Sequence, residues 1–136
     1  MTSEPGIWHD VQPMGRTATT RGVTLDWAAA TDVGNERAVN EDAVLASPPV
    51  FVVADGMGGH QAGDVASGLV VDRFGSIVDG GLNEVQDVVG LLDDVNESIL
   101  QEGRRSMVRA GMGTTAVGLL LVDNGDRASW LVFNIG

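Results

Sequence analysis

The chain has no cysteine, which rules out a disulfide framework, a thiol nucleophile and a cysteine-type zinc site, and suits a reducing cytoplasm. Basic residues are scarce: Lys and Arg number 8 against 19 Asp and Glu. The resulting net charge of −11 argues against nucleic acid or an anionic membrane as a partner, since both select basic surfaces. No apolar run approaches membrane-spanning length, and Glu4 and Pro5 stand where a signal peptide would carry a basic patch and then an apolar core. A cytoplasmic location is therefore expected. Low-complexity tracts are also lacking, and 136 residues with 43% apolar content are enough for one folded domain with a real core, too few for two.

Against this background one stretch stands out, Val50-Phe51-Val52-Val53-Ala54-Asp55-Gly56-Met57-Gly58-Gly59-His60. Its unbroken apolar run predicts a strand buried on both faces, which delivers Asp55 to the rim of a sheet. Gly56, Gly58 and Gly59 leave the backbone there bare, so that a ligand can come close. Both phosphate-loop patterns fail. The dinucleotide fingerprint would need glycine at Gln61, and the spacing from Gly58 to Gly63 is followed by Asp64 instead of lysine. A hard cation such as Mg²⁺ or Mn²⁺ suits Asp55 and exposed carbonyls better, although Asp-Gly alone fits a hairpin turn equally well.

Residues 1–22 show no periodic apolar pattern and read as a flexible leader. Val23 to Ala30 predicts a strand, and Thr31 to Asn35 a turn. Ala43 to Ala46 and Val50 to Ala54 predict a hairpin closed by Ser47-Pro48-Pro49, with Asp42 and Asp55 at its open end, where both could face one cation. Asp64 to Val78 predicts an amphipathic helix stopped by Gly80-Gly81. A second helix starts at Asn83, with Gln86 as a loose capping box and a stripe of Val85, Val88, Leu92, Val95 and Ile99; it is broken by Gly111-Met112-Gly113. Thr114 to Val122 and Arg127 to Ile135 predict a second hairpin around an Asn-Gly turn. Hairpins separated by two helices indicate an α+β fold with helices packed on sheet, and the continuous apolar strands suggest the inner layers of a sandwich.

Four segments, Arg37-Ala38-Val39-Asn40-Glu41-Asp42, Val52 to Gly59, Gly113-Thr114-Thr115 and Asn134-Ile135-Gly136, occur in an order that resembles the N-terminal half of the PPM family of metal-dependent protein phosphatases, type 2C, in its bacterial form. The resemblance covers roughly residues 25–136. It implies a four-layer α-β-β-α sandwich of antiparallel sheets, incomplete in this chain, with 23–136 as the N-terminal half of the domain. The implied reaction is hydrolysis of phosphoserine and phosphothreonine in proteins by a water that two Mn²⁺ or Mg²⁺ ions activate. Phosphorylated proteins would be the partners, in opposition to Ser/Thr protein kinases. By motif, Asp55 would bridge the metals and the Gly56 carbonyl would bind one of them. Asp42 and Glu41 would act through metal-bound water, and Arg37 would clamp the substrate phosphate with a planar fork that lysine cannot reproduce. Without the resemblance, Arg37 reads as a surface ion-pair partner of Glu41 or Asp42.

Two departures weigh on that implication. Met57 stands where eukaryotic members have a histidine proposed as general acid, and His60, three residues on, reads as a loop residue. The family's Gly-Asp-Ser-Arg motif reaches only its glycine, Gly136, and the later aspartates are lacking, so the sequence reads as truncated. The alternative from another class is a non-catalytic pseudophosphatase or regulatory fragment that binds phosphoprotein. A third reading, an acidic metal-binding domain unrelated to phosphate, leaves Arg37 without a purpose.

Overall fold

The computed structural model describes residues 7–8, 16–59, 62–79 and 82–136. Its centre is an antiparallel sheet of β1 (Ile7–Trp8), β4 (Asp42–Ser47), β5 (Val50–Met57), β7 (Ala116–Asp123) and β8 (Ala128–Ile135), adjacent in that order, with the short β6 (Gly113–Thr114) also paired to β5. A second sheet is the hairpin of β2 (Arg16–Thr20) and β3 (Val23–Trp27). Two helices, α1 (Gly63–Gly75) and α2 (Val85–Arg105), complete the α+β arrangement.

Alternation along β5 assigns the faces. Val50, Val52 and Ala54 are buried toward α1, together with Leu45 of β4 and Leu120 of β7. α1 adds Ala66, Val70, Val71 and Phe74, and Phe74 stacks on Phe133 of β8 at 5.2 Å between ring centroids. α2 packs Val88, Leu91, Val95 and Ile99 into the same core. The opposite face differs from the two-sided burial expected of Val50 to Ala54, because Val53 is 52% exposed. The β2–β3 hairpin reaches that face only in part, through Trp27 set edge-on against Phe51 at 6.0 Å.

The hairpin itself occupies part of the stretch expected as leader. Thr17, Thr19 and Thr24 are β-branched residues suited to a pleated surface, and the two-residue turn Arg21-Gly22 has positive φ at both positions (50° and 74°), the twist a tight hairpin needs. Of the remaining leader residues, only Ile7–Trp8 lie among those described, paired with β4.

Three helix boundaries also depart from expectation. α1 ends at Gly75, with turns following, while Gly80-Gly81 lie outside the described residues. The α2 cap is Glu84 with Asp87, whose carboxylate accepts the backbone N–H groups of Asn83 (2.8 Å) and Glu84 (3.1 Å), instead of Asn83 with Gln86. Asp is a shorter acceptor than Gln and carries the charge that the helix N-terminus favours. This later start leaves Val85 58% exposed. At its other end α2 stops at Arg105, before a 3₁₀ turn at Met107–Arg109.

Candidate active site

The β4–β5 register sets Asp42 directly opposite Asp55 at the open end of the hairpin, as its sequence implied. Both lie at positions of the less covered face, so their carboxylates meet at its polar end. Burial, followed by the facing Asp55 carboxylate, raises the Asp42 carboxyl above its ordinary 3.8. Two carboxylates brought together in this way favour either a shared proton or a cation between them.

The backbone around the pair is tied on all sides. Asn40 accepts the Asp42 N–H on its side-chain oxygen (3.0 Å) and donates its amide to Thr31 Oγ1 (2.7 Å). The predicted strand from Thr114 to Val122 is interrupted at Thr115, and the interruption serves Asp55. Thr115 N–H donates to the Asp55 carbonyl (3.0 Å), while Asp55 N–H donates to Thr115 Oγ1 (3.3 Å). Thr114 Oγ1 lies 3.0 Å from the same carbonyl. Next along the chain, Gly56 N–H donates to the Glu41 carbonyl (3.0 Å). Gly56 is pressed on Gly63 at the start of α1 so closely that a Cβ on Gly56 would stand 2.0 Å from the Gly63 carbonyl oxygen.

Arg37 pairs with Glu41 one helical turn's spacing away, its own side chain 67% exposed and that of Glu41 only 12%. The two, with Ala38, Val39 and Gly58, line a cleft of about 200 Å³. A guanidinium has five N–H donors, so pairing with Glu41 holds it at the rim without preventing it from gripping a phosphate as well. The structure thus gathers Arg37, Glu41, Asp42, Asp55 and Gly56 around one end of the sheet. His60 lies outside the described residues, and Met57 is 66% exposed. Among the described residues no cluster of three or more His, Asp or Glu is placed to hold a metal.

Sequence reasoning missed Asn40, Thr114, Thr115 and Gly63 as supports of the site. Asn40 could have been found, since an Asn two residues before an acid is placed to accept that residue's N–H. The threonines stand in the Gly113-Thr114-Thr115 segment that the sequence singled out, but they act across the sheet, so nothing local assigned them a role.

The chain thus carries an antiparallel sheet with helices on one side and an acid pair at its end. No protein-family model matches the chain. Among curated proteins, the serine/threonine protein phosphatase PstP of Mycobacterium tuberculosis is 38% identical over 109 residues, 75% of this chain and 20% of the relative. The protein phosphatase PhpP of Streptococcus pneumoniae is 38% identical over 110 residues, 74% of this chain and 44% of the relative. The crystal structure of M. tuberculosis PstP matches with a TM-score of 0.66 at 28% identity, covering 90% of this chain and 46% of that one. A second structure, the PstP catalytic domain in complex with two manganese ions, matches with a TM-score of 0.66 at 28% identity over 89% of this chain and 46% of that one. Over about three quarters of its length the chain is similar to bacterial serine/threonine protein phosphatases, in keeping with its resemblance to the PPM type. It spans less than half the length of these relatives.

Proposed function

We propose that this chain forms part of a metal-dependent site for hydrolysing phosphoserine and phosphothreonine in proteins, in a cytoplasmic setting where Ser/Thr kinases supply the substrates. The observation that carries the reading is the facing pair Asp42 and Asp55, in a chain 38% identical over most of its length to serine/threonine phosphatases. The donor set fits a hard divalent cation: two carboxylates at one strand end, and beside them the carbonyl of Gly56. Asp55 and the Gly56 carbonyl would hold Mn²⁺ or Mg²⁺, with Asp42 and Glu41 acting through water. Bound there, such ions would neutralise the phosphate and activate a water for attack on phosphorus. The chain's own residues do the rest. Arg37 orients the phosphate, Glu41 holds the Arg37 guanidinium at the rim, and the threonine clamp fixes the Asp55 backbone.

Mn²⁺-dependent phosphate release from a phosphothreonine peptide tests this reading, with Asp55→Asn as the control. Release that disappears in Asp55→Asn supports it. Arg37→Ala is expected to weaken peptide binding or raise KM by roughly 1.5–3 kcal/mol, the worth of a charge-assisted hydrogen bond. The second reading, phosphoprotein binding without turnover, is favoured by the small number of acids gathered among the described residues. Peptide binding with no phosphate release would select it, and equal Mn²⁺ affinity in the chain and in Asp55→Asn would remove Asp55 from the metal site.

A further inference from the structure

Ser67, on the second turn of α1, is the one buried polar side chain among the described residues, 1% exposed within an otherwise apolar core. A buried hydroxyl costs free energy unless it is hydrogen-bonded, so its partner shows what it is there to hold. Its Oγ lies 2.7 Å from the Glu41 carbonyl and 3.3 Å from the Asp64 carbonyl one turn back in its own helix. A hydroxyl has one hydrogen, and the shorter contact takes it. The Glu41 carbonyl also receives the Gly56 N–H, so one oxygen joins the residue before β4 to both β5 and α1. Glu41 precedes Asp42 and Gly56 follows Asp55, which puts this junction one residue from the acid pair on both strands.

The first residue of α1 makes the same connection from another side. A Cβ on Gly63 would stand 2.9 Å from the Gly56 carbonyl oxygen and 2.7 Å from Glu41 Oε1, two oxygens assigned above to the cation site. Only a bare backbone lets the helix approach so closely while leaving room beside those atoms. The glycine spacing that looked like a failed phosphate loop therefore serves helix docking.

We propose that Ser67 is a positioning residue of the cation site: its hydroxyl staples α1 to the Glu41 carbonyl and so fixes Gly56 and the spacing of Asp42 and Asp55. This rests on the reading of Asp55 and Gly56 as metal ligands, and the experiment separates the two ideas. Mn²⁺ affinity is measured by calorimetry and by paramagnetic resonance on the full chain, Asp55→Asn, Ser67→Ala and Ser67→Cys. Thermal melts report the folding of each. Ser67→Cys fills nearly the same space with a weak donor, so it distinguishes the hydrogen bond from lost volume and serves as the deciding variant if Ser67→Ala fails to fold. The expected result is affinity lower by about tenfold in both Ser67 variants, the usual consequence of removing a group that orients a ligand. Unchanged Mn²⁺ affinity in Ser67→Ala, or recovery in Ser67→Cys, overturns the proposal while leaving the metal site standing if Asp55→Asn has lost binding. Unchanged affinity in Asp55→Asn removes the site and the staple together.

Discussion

On the side facing the helices, the central sheet presents Leu45, Val50, Val52 and Leu120, each no more than 1% exposed. On the other side the same strands present Val53, Val117 and Leu119, which with Val132 of β8 are between 41% and 66% exposed. The residue types are alike and alternate position by position, so composition does not explain the difference. What separates the faces is what lies on them. Among the described residues, α1 and α2 cover most of one face, whereas the other meets the β2–β3 hairpin and the segment from Ala28 to Asp32, with a cavity of about 610 Å³ between. The less covered face ends in Asp42 and Asp55. The covered face ends in Gly56, pressed against α1, so the site stands at the edge that both faces share.

The widest gap between the faces should appear on comparing a residue packed into the covered side with one exposed on the other. Phe74 is fully buried and stacked on Phe133, so Phe74→Ala is expected to cost about 3–5 kcal/mol in urea unfolding. Val132→Thr, at a position 66% exposed, is expected to stay within about 0.5 kcal/mol. Equal losses in the two variants would show that the faces are equally covered in solution and would break the comparison.

Gly118 offers a subtler test because it sits at the base of the covered face. A Cβ there would meet the Phe133 ring at 2.3 Å and the Phe51 carbonyl oxygen at 2.9 Å, so the ring stacked on Phe74 depends on the glycine's missing side chain. Gly118→Ala is expected to cost about 1–3 kcal/mol as an overpacked core. Combining it with Phe133→Leu, which shortens the side chain in the way, should recover part of the loss. No recovery in the double variant would mean that the backbone contact, and not the ring, sets the cost.

These positions mark how far the sequence could be read. The Asp42–Asp55 pairing was legible because a short hairpin fixes register: Pro48-Pro49 joins Ser47 to Val50, and every later pair follows from that. The stripe on α2 was legible through Val88, Val95 and Ile99, since a period of 3.6 reports which side of a helix is buried. The uneven covering of the sheet was not. A continuous apolar strand is compatible with two covered faces, and only tertiary arrangement shows what covers each. Ser67 escaped for a related reason. A serine between Ala66 and Gly68 looks like an ordinary helix residue until the Glu41 carbonyl, 26 positions earlier, is brought over it.

The smallest expected effect concerns the polar end of the less covered face and depends on pH. Burial and the Asp55 carboxylate raise the Asp42 carboxyl above 3.8 in the folded chain, so the native state holds this proton to higher pH than the unfolded chain does. The stabilisation contributed by the group is therefore complete below its unfolded value of about 3.8 and is lost as pH rises through the raised folded value. At neutral pH the ionised Asp42 opposes folding. Asp42→Asn should make the metal-free chain more stable at pH 7, by no more than about 1 kcal/mol because solvent reaches the pair and screens it. The gain should shrink on acidification and vanish below pH 3.8, which urea unfolding of both proteins across that range would measure. A gain that persists unchanged in acid would trace to lost side-chain bulk instead of charge. A loss at pH 7 would show that ionised Asp42 already has a stabilising partner at the end of the sheet.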